Sequence, residues 1–170
     1  MITITTSSKR APGVVEFERA ATELGVQIAI YDIADDSTIQ AIDQAEQLLV
    51  RVGPKSYERY RQVAERIHNP SRANDIRRTL AAFDKCKSYE LLADASVAMP
   101  VSEVIKEAAE PSFLPGVVKI PRGNQGKGIY LVSTPEEYRE AVDACLEYGE
   151  CLYQEYIAES KGTDKRLIVG

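Results

Sequence analysis

The sequence predicts an α/β protein, and three observations carry that reading. Up to Phe83, short β-branched runs alternate with segments of helical period, which is the pattern of a small, largely parallel sheet flanked by helices. A glycine-rich hairpin, Val117 to Val132, then joins two strand-forming runs. Directly after it, a helix opens with a capping box at Thr134.

The elements follow in order. Ile2 to Thr5 is a short strand. A helix comes next, with Phe17, Ala20, Ala21 and Leu24 at helical spacing and Gly25 placed as its C-terminal cap. Val26 to Asp32 is a strand, Ser37 to Ala45 a short helix, Gln47 to Gly53 an apolar strand containing Arg51, and Ser56 to Ile67 a helix. The stretch His68 to Ser71 breaks the alternation. Arg72 to Phe83 reads as a basic helix, and Asp84 as the cap of a second, Lys85 to Ala95. Three prolines between Met99 and Gly116 leave room for one short strand, around Val101 to Val104, and an exposed connector. In the capped helix, Thr134 is the N-cap, Pro135 the first helical residue and Glu137 the reciprocal partner. Its apolar stripe is Tyr138, Ala141, Val142, Cys145 and Leu146. Cys151 to Ile157 is a strand, Ala158 to Thr163 a polar loop, and Asp164 to Gly170 a final strand. Tyr31 and Tyr153 read as packing residues.

The 170 residues suit one ordinary domain or two small ones, with 44% hydrophobic and 28% charged residues. A net charge of -5 argues against a protein that coats nucleic acid. It leaves room for a basic cleft, because net charge does not describe one pocket. No apolar run reaches the ~20 residues of a membrane helix, and the first ten residues lack a signal-peptide core, so a cytoplasmic location is expected. Cys86, Cys145 and Cys151 form no C-x-x-C pair and read as reduced structural thiols. His68 is the sole histidine, which excludes a multi-histidine metal site. The chain ends within an apolar strand pattern, which reads as a fragment.

The chemistry centres on the hairpin. Strand alternation in Val117–Val118–Lys119–Ile120 puts Lys119 on the same face as Val117. A lysine there either snorkels at a sheet edge or is held toward an anion, and the strand by itself favours the edge. The tip shifts the balance. Gly123, Gly126 and Gly128 let backbone N–H groups approach an anion, and Arg122 and Lys127 add positive charge. This is neither a Walker A loop nor a dinucleotide fingerprint, because strand follows it where a helix is needed. Lys85, opening a helix where the dipole disfavours a cation, is more at home with a bound phosphate. Further on, Glu155 could accept from an amine or a ribose hydroxyl, and Asp164 and Arg166 share one strand face. Each of these pieces also has an ordinary structural reading: a solvated loop, an exposed lysine, a surface ion pair.

Their order is more specific than any of them. A helix opening Asp84–Lys85, the run Val117–Val118–Lys119, a glycine-rich hairpin, a capped helix, Gln154–Glu155–Tyr156–Ile157 and then Gly162-x-Asp164-x-Arg166 resembles the ATP-grasp superfamily, and within it the RimK-like branch. The likeness covers Asp84 to Gly170, and more loosely the region before it. It implies a small pre-ATP-grasp α/β domain at 1–83, the lid-bearing small ATP-grasp subdomain at 84–153, and the hinge and first strand of a large subdomain at 154–170. By this resemblance Lys85 and Lys119 contact ATP phosphates, and Gly123, Gln125, Gly126 and Gly128 belong to the covering loop. Glu155 and Tyr156 lie at the adenine hinge, and Asp164 binds the ribose. Arg122 departs from the acidic or small residue usual before the first glycine.

The resemblance also implies the chemistry: an ATP-dependent carboxylate–amine ligase using ATP and Mg2+, adding an amino acid such as glutamate to a peptide or protein. The family's magnesium ligands include an E-x-N motif. Asn69, Asn74 and Asn124 are the only asparagines, and none has a glutamate two residues before it. The metal-binding part is therefore expected beyond this chain, and these residues alone are expected not to turn over. Two alternatives stand beside this one: a non-catalytic nucleotide-binding or regulatory module, and a D-alanine–D-alanine or glutathione-synthetase type of ligase.

Overall fold

The computed structural model describes residues 1–66, 76–123, 126–160 and 162. It divides into two compact units, Met1–Asp84 and Lys85–Gly170.

In the first unit, strands β1 (Ile2–Thr6), β2 (Ile28–Asp32) and β3 (Gln47–Arg51) form a sheet in the order β2-β1-β3. All pairings are parallel, with Ile4 beside both Ile30 and Leu49. Parallel neighbours need crossover connections. Helices α1 (Pro12–Leu24) and α2 (Ser37–Asp43) supply them, and α3 (Tyr57–Arg66) and α4 (Ile76–Ala82) follow. Helix α1 stops where Gly25 turns left-handed at φ 65 and returns its N–H to the last-turn carbonyls of Ala21 and Thr22. The core gathers Ile33, Ile42, Leu48, Val50, Val52, Tyr60, Val63 and Ala64. Arg59 fastens the turn after β2 by donating to the carbonyls of Ile33 at 2.8 Å and Ala34 at 3.3 Å.

The second unit holds α5 (Lys85–Asp94), β4 (Ser102–Ile105), β5 (Gly116–Lys119), β6 (Ile129–Val132), α6 (Pro135–Leu146) and β7 (Cys151–Glu155). Its four strands lie in the order β4-β7-β5-β6, every pair antiparallel. The stripe expected on the capped helix is the one that packs: Tyr138, Ala141, Val142 and Cys145 are buried. They meet Val118, Val132 and Tyr153 from the sheet. Thr134 accepts from the Glu137 N–H at 3.2 Å, while the Glu137 carboxylate accepts from Ser133 at 2.7 Å, one residue earlier than a strict capping box places it. The Tyr153 ring stacks on Phe113 with centroids 4.4 Å apart and meets Tyr138 edge-on at 4.7 Å. Cys86, Cys145 and Cys151 are all buried thiols.

Two differences from the sequence reading concern position. Strand β5 lies between β7 and β6, so the edge reading of Lys119 is overturned: the strand is paired on both sides. The strand expected to run through Ile157 ends at Glu155. The start of the basic helix at 72–75, His68 and the final strand at 164–170 lie outside the described residues.

Two outcomes test this packing. A Cβ on Gly116 would sit 2.3 Å from the Tyr153 ring, which is stacked on Phe113 and meets Tyr138 edge-on. Gly116→Ala is therefore expected to cost about 1–3 kcal/mol. Thr134→Ala removes the acceptor for Glu137 N–H and is expected to cost about 1 kcal/mol. Urea denaturation measures both, and Gly116→Ala should be the more damaging.

Candidate functional site

The site begins with the alternation of β5. Val118 is fully buried on the α6 side, so Val117 and Lys119 occupy the opposite sheet face. Register extends that face across the sheet. Val117 stands opposite Gln154 and Leu131, and Lys119 opposite Leu152 and Ile129. Gln154 in turn stands opposite Ser102. The face is therefore apolar with a polar line through it. Lys119 Nζ donates to Gln154 Oε1 at 2.6 Å, Gln154 Nε2 donates to Ser102 Oγ at 2.9 Å, and Ser102 Oγ donates to the Pro100 carbonyl at 2.8 Å.

Lys85 arrives at the same place from α5. Its backbone N–H donates to the Pro121 carbonyl at 2.8 Å. Its ammonium donates to the carbonyls of Gly123 at 3.0 Å and Ile120 at 3.3 Å. The first amide of α5 is thus engaged by the hairpin, and the Lys85 side chain lies against the same root. Burial holds the Lys119 pKa below its usual 10.5, and the neighbouring Lys85 charge lowers it further. Two ammonium groups converge at the root of the hairpin, and an anion there would relieve both the repulsion and the desolvation.

The hairpin tip closes through Ile120 N–H to the Gly128 carbonyl at 2.9 Å. Its glycines have different causes. Gly123 and Gly128 leave room for Ile120: a Cβ at Gly128 would lie 2.4 Å from Ile120 Cδ1, and one at Gly123 would lie 2.7 Å from the Lys127 carbonyl oxygen. Gly126, at φ 77, faces open space. Packing therefore accounts for Gly123, Gly128 answers both to packing and to its left-handed φ of 66, and Gly126 answers to backbone conformation. Arg122 and Lys127 are exposed. Gln125 lies outside the described residues.

At the other end of the sheet, where β7 ends and its alternation turns Glu155 to the side opposite Gln154, Glu155 is pinned twice to Val101. Its N–H donates to the Val101 carbonyl at 2.9 Å, and its Oε1 accepts from Val101 N–H at 2.8 Å. Tyr156 N–H donates to the Pro115 carbonyl at 3.2 Å. Those two amides are engaged within the protein. Asp164 and Arg166 lie outside the described residues. Lys85, Lys119, Gly123, Gly126 and Gly128 are thus brought to one end of the β5–β6 hairpin, with Glu155 and Tyr156 where β7 ends. Sequence reasoning passed over Gln154 and Ser102. Alternation puts them on the Lys119 face only after the β4-β7-β5 register is known.

The donor set fits a phosphate. Ammonium groups cannot ligate a cation, and among the described residues Lys119 is hydrogen-bonded to an amide, with no carboxylate on it.

The model of the RimK-like ATP-grasp domain matches residues 82–170. The ribosomal protein bS6–L-glutamate ligase of Salmonella paratyphi B is 35% identical over 96 residues, which are 52% of this chain and 32% of that protein. The chain spans about a third of the length of the curated relatives it matches. Among solved structures, the RimK domain ATP-grasp protein of Sphaerobacter thermophilus superposes with a TM-score of 0.65 at 16% identity, covering 91% of this chain and 64% of that one. The ADP complex of an N5-carboxyaminoimidazole ribonucleotide synthetase gives 0.64 at 16% identity, covering 92% and 46%. At such identities the superpositions establish the fold: a parallel sheet followed by an antiparallel one, as ATP-grasp proteins have. The sequence match over more than half of its length establishes the family, and this chain belongs to the RimK-like ATP-grasp domain family.

Proposed function

We propose that this chain is the nucleotide-clamping part of an ATP-dependent carboxylate–amine ligase that joins an amino acid, glutamate in the nearest reading, to a peptide or protein. The observation that carries this is the convergence of Lys85 and Lys119 at the root of a glycine-rich hairpin. Glu155 and Tyr156 stand at the opposite end of the sheet, where β7 ends, and are the proposed hinge. The glutamate ligase activity named for the Salmonella relative supports the choice of substrate class.

In this reading ATP supplies the phosphoryl group that turns a carboxylate into an acyl phosphate, which an amine then attacks with release of phosphate. The chain's own residues bind and orient. Lys119 presents an ammonium from a central strand, so its position varies little. Lys85 presents a second one and ties the hairpin root to α5. Both stabilise negative charge on phosphate oxygens, the main electrostatic demand of phosphoryl transfer. Gly126 leaves the tip open for backbone N–H groups to approach the nucleotide. Glu155 and Tyr156 are the proposed hinge for the base, and Gln125 and Asp164 the proposed loop and ribose contacts. Magnesium is assigned to ligands outside these 170 residues, and the reading places the enzyme in the cytoplasm.

Calorimetric titration with ATP tests the reading. Lys119→Ala is expected to weaken ATP binding by about ten- to a hundredfold, the weight of a charge-assisted hydrogen bond, while the thermal midpoint stays near native. Unchanged affinity would sink the proposal. The pH dependence has a definite sign. Phosphate binding favours charged Lys119, so affinity should fall as pH rises through its lowered pKa, below 10.5, and Lys119→Ala should lack that limb. Stability should move the other way. The unfolded chain holds this proton more tightly than the folded one, so stability gains with pH between the lowered value and 10.5.

A further inference from the structure

We infer that Gln154, oriented by Ser102, is a positioning residue: a neutral anchor that fixes the Lys119 ammonium on that sheet face without cancelling its charge. The inference rests on the nucleotide reading above and assigns it one more residue pair.

The argument starts from which groups can donate. An ammonium only donates. With Lys119 Nζ 2.6 Å from Gln154 Oε1, the glutamine must turn its carbonyl toward the lysine and its NH2 toward Ser102. Ser102 Oγ then accepts from Gln154, and its own hydrogen goes to the Pro100 carbonyl at 2.8 Å. Every donor and acceptor in the line is thus set by the charge at one end. Ser102 is itself held, because the Tyr89 hydroxyl of α5 donates to its backbone carbonyl at 2.6 Å. The line crosses three adjacent strands, β5, β7 and β4, along a diagonal within side-chain reach.

The chemical type of the anchor matters. A half-buried lysine commonly finds a carboxylate. Here it finds an amide, beside a second ammonium that repels it. A carboxylate at 154 would stabilise Lys119 in the empty protein and compete with an incoming phosphate for the same charge. The amide holds the geometry and leaves two of the three ammonium hydrogens for an anion. It makes the site pre-organised and electrostatically hungry, which favours a polyanionic ligand over a neutral one.

The test compares the 170-residue chain with Gln154→Glu, Gln154→Leu, Ser102→Ala and the Gln154→Leu/Ser102→Ala pair. ATP affinity is read by calorimetry, folding by thermal midpoint, and Lys119 by 13C NMR of its Cε through a pH titration. Gln154→Glu, nearly isosteric, is expected to raise the Lys119 titration midpoint and to weaken ATP binding about tenfold with folding unchanged. Gln154→Leu should weaken binding to a similar degree. Ser102→Ala should weaken it about threefold in the native background and not at all in the Gln154→Leu background, since it acts through Gln154. Native affinity in Gln154→Glu overturns the neutral anchor, and a Ser102→Ala loss that persists without Gln154 overturns the line. Should the native chain fail to bind ATP, the nucleotide reading falls. The anchor is then decided by NMR: a raised Lys119 midpoint in Gln154→Glu sustains it, and an unchanged one overturns it.

Discussion

The placement of β5 between β7 and β6 is the constraint on which the second unit depends. A central strand cannot let its side chains escape sideways. Val118 must enter the core beneath α6, and Lys119 must stand on the opposite face among valine, leucine and isoleucine neighbours. Burial there disfavours the charged form, and Lys85 adds to the penalty. The lysine keeps its position because its strand is paired on both sides, and its charge is tolerated because Gln154 accepts from it. Strand pairing thus produces a cation in a fixed place, a condition that a surface lysine on a loop would not meet.

The hairpin root extends that order to the next residues. Ile120 is buried between Gly123 and Gly128, and its amide closes on Gly128. Lys85 then takes the carbonyls of Ile120 and Gly123. A hydrophobic plug and an ammonium together hold the root of the tip against α5. Glycine at 123 answers to that packing, and glycine at 128 to the packing and to a left-handed backbone. The division is physically sensible: a loop that approaches a ligand needs a stiff root as much as an open tip.

Electrostatics at this site runs against the chain as a whole. The sequence carries a net charge of -5, yet Lys85 and Lys119 both reach the hairpin root, and Arg122 and Lys127 are exposed near the tip. Local charge of this kind draws polyanions at short range, where a Debye length of about 8 Å leaves it unscreened. The anchor at Gln154 preserves that field by satisfying the hydrogen bond and leaving the charge in place.

Much of the framework was legible in the residues. The alternation of period, Gly25 as a helix stop, Thr134 as a helix start and the stripe from Tyr138 to Cys145 are local signals, and local sterics and capping realise them without outside help. Lys119 and the glycine tip stood out for the same reason, since a cation among strand formers conflicts with its neighbours within a few residues. Whether β5 was an edge could not be read, because strand order depends on partners 35 or so positions away in the chain. The line Lys119–Gln154–Ser102 was hidden for the same cause, since alternation fixes which residues share a face of one strand, and only register between strands fixes which of them meet. The sequence by itself determined the elements and the charged residues they carry. The tertiary structure decided that one lysine is central, held by an amide and set beside another, because long-range pairing is what converts residue type into geometry.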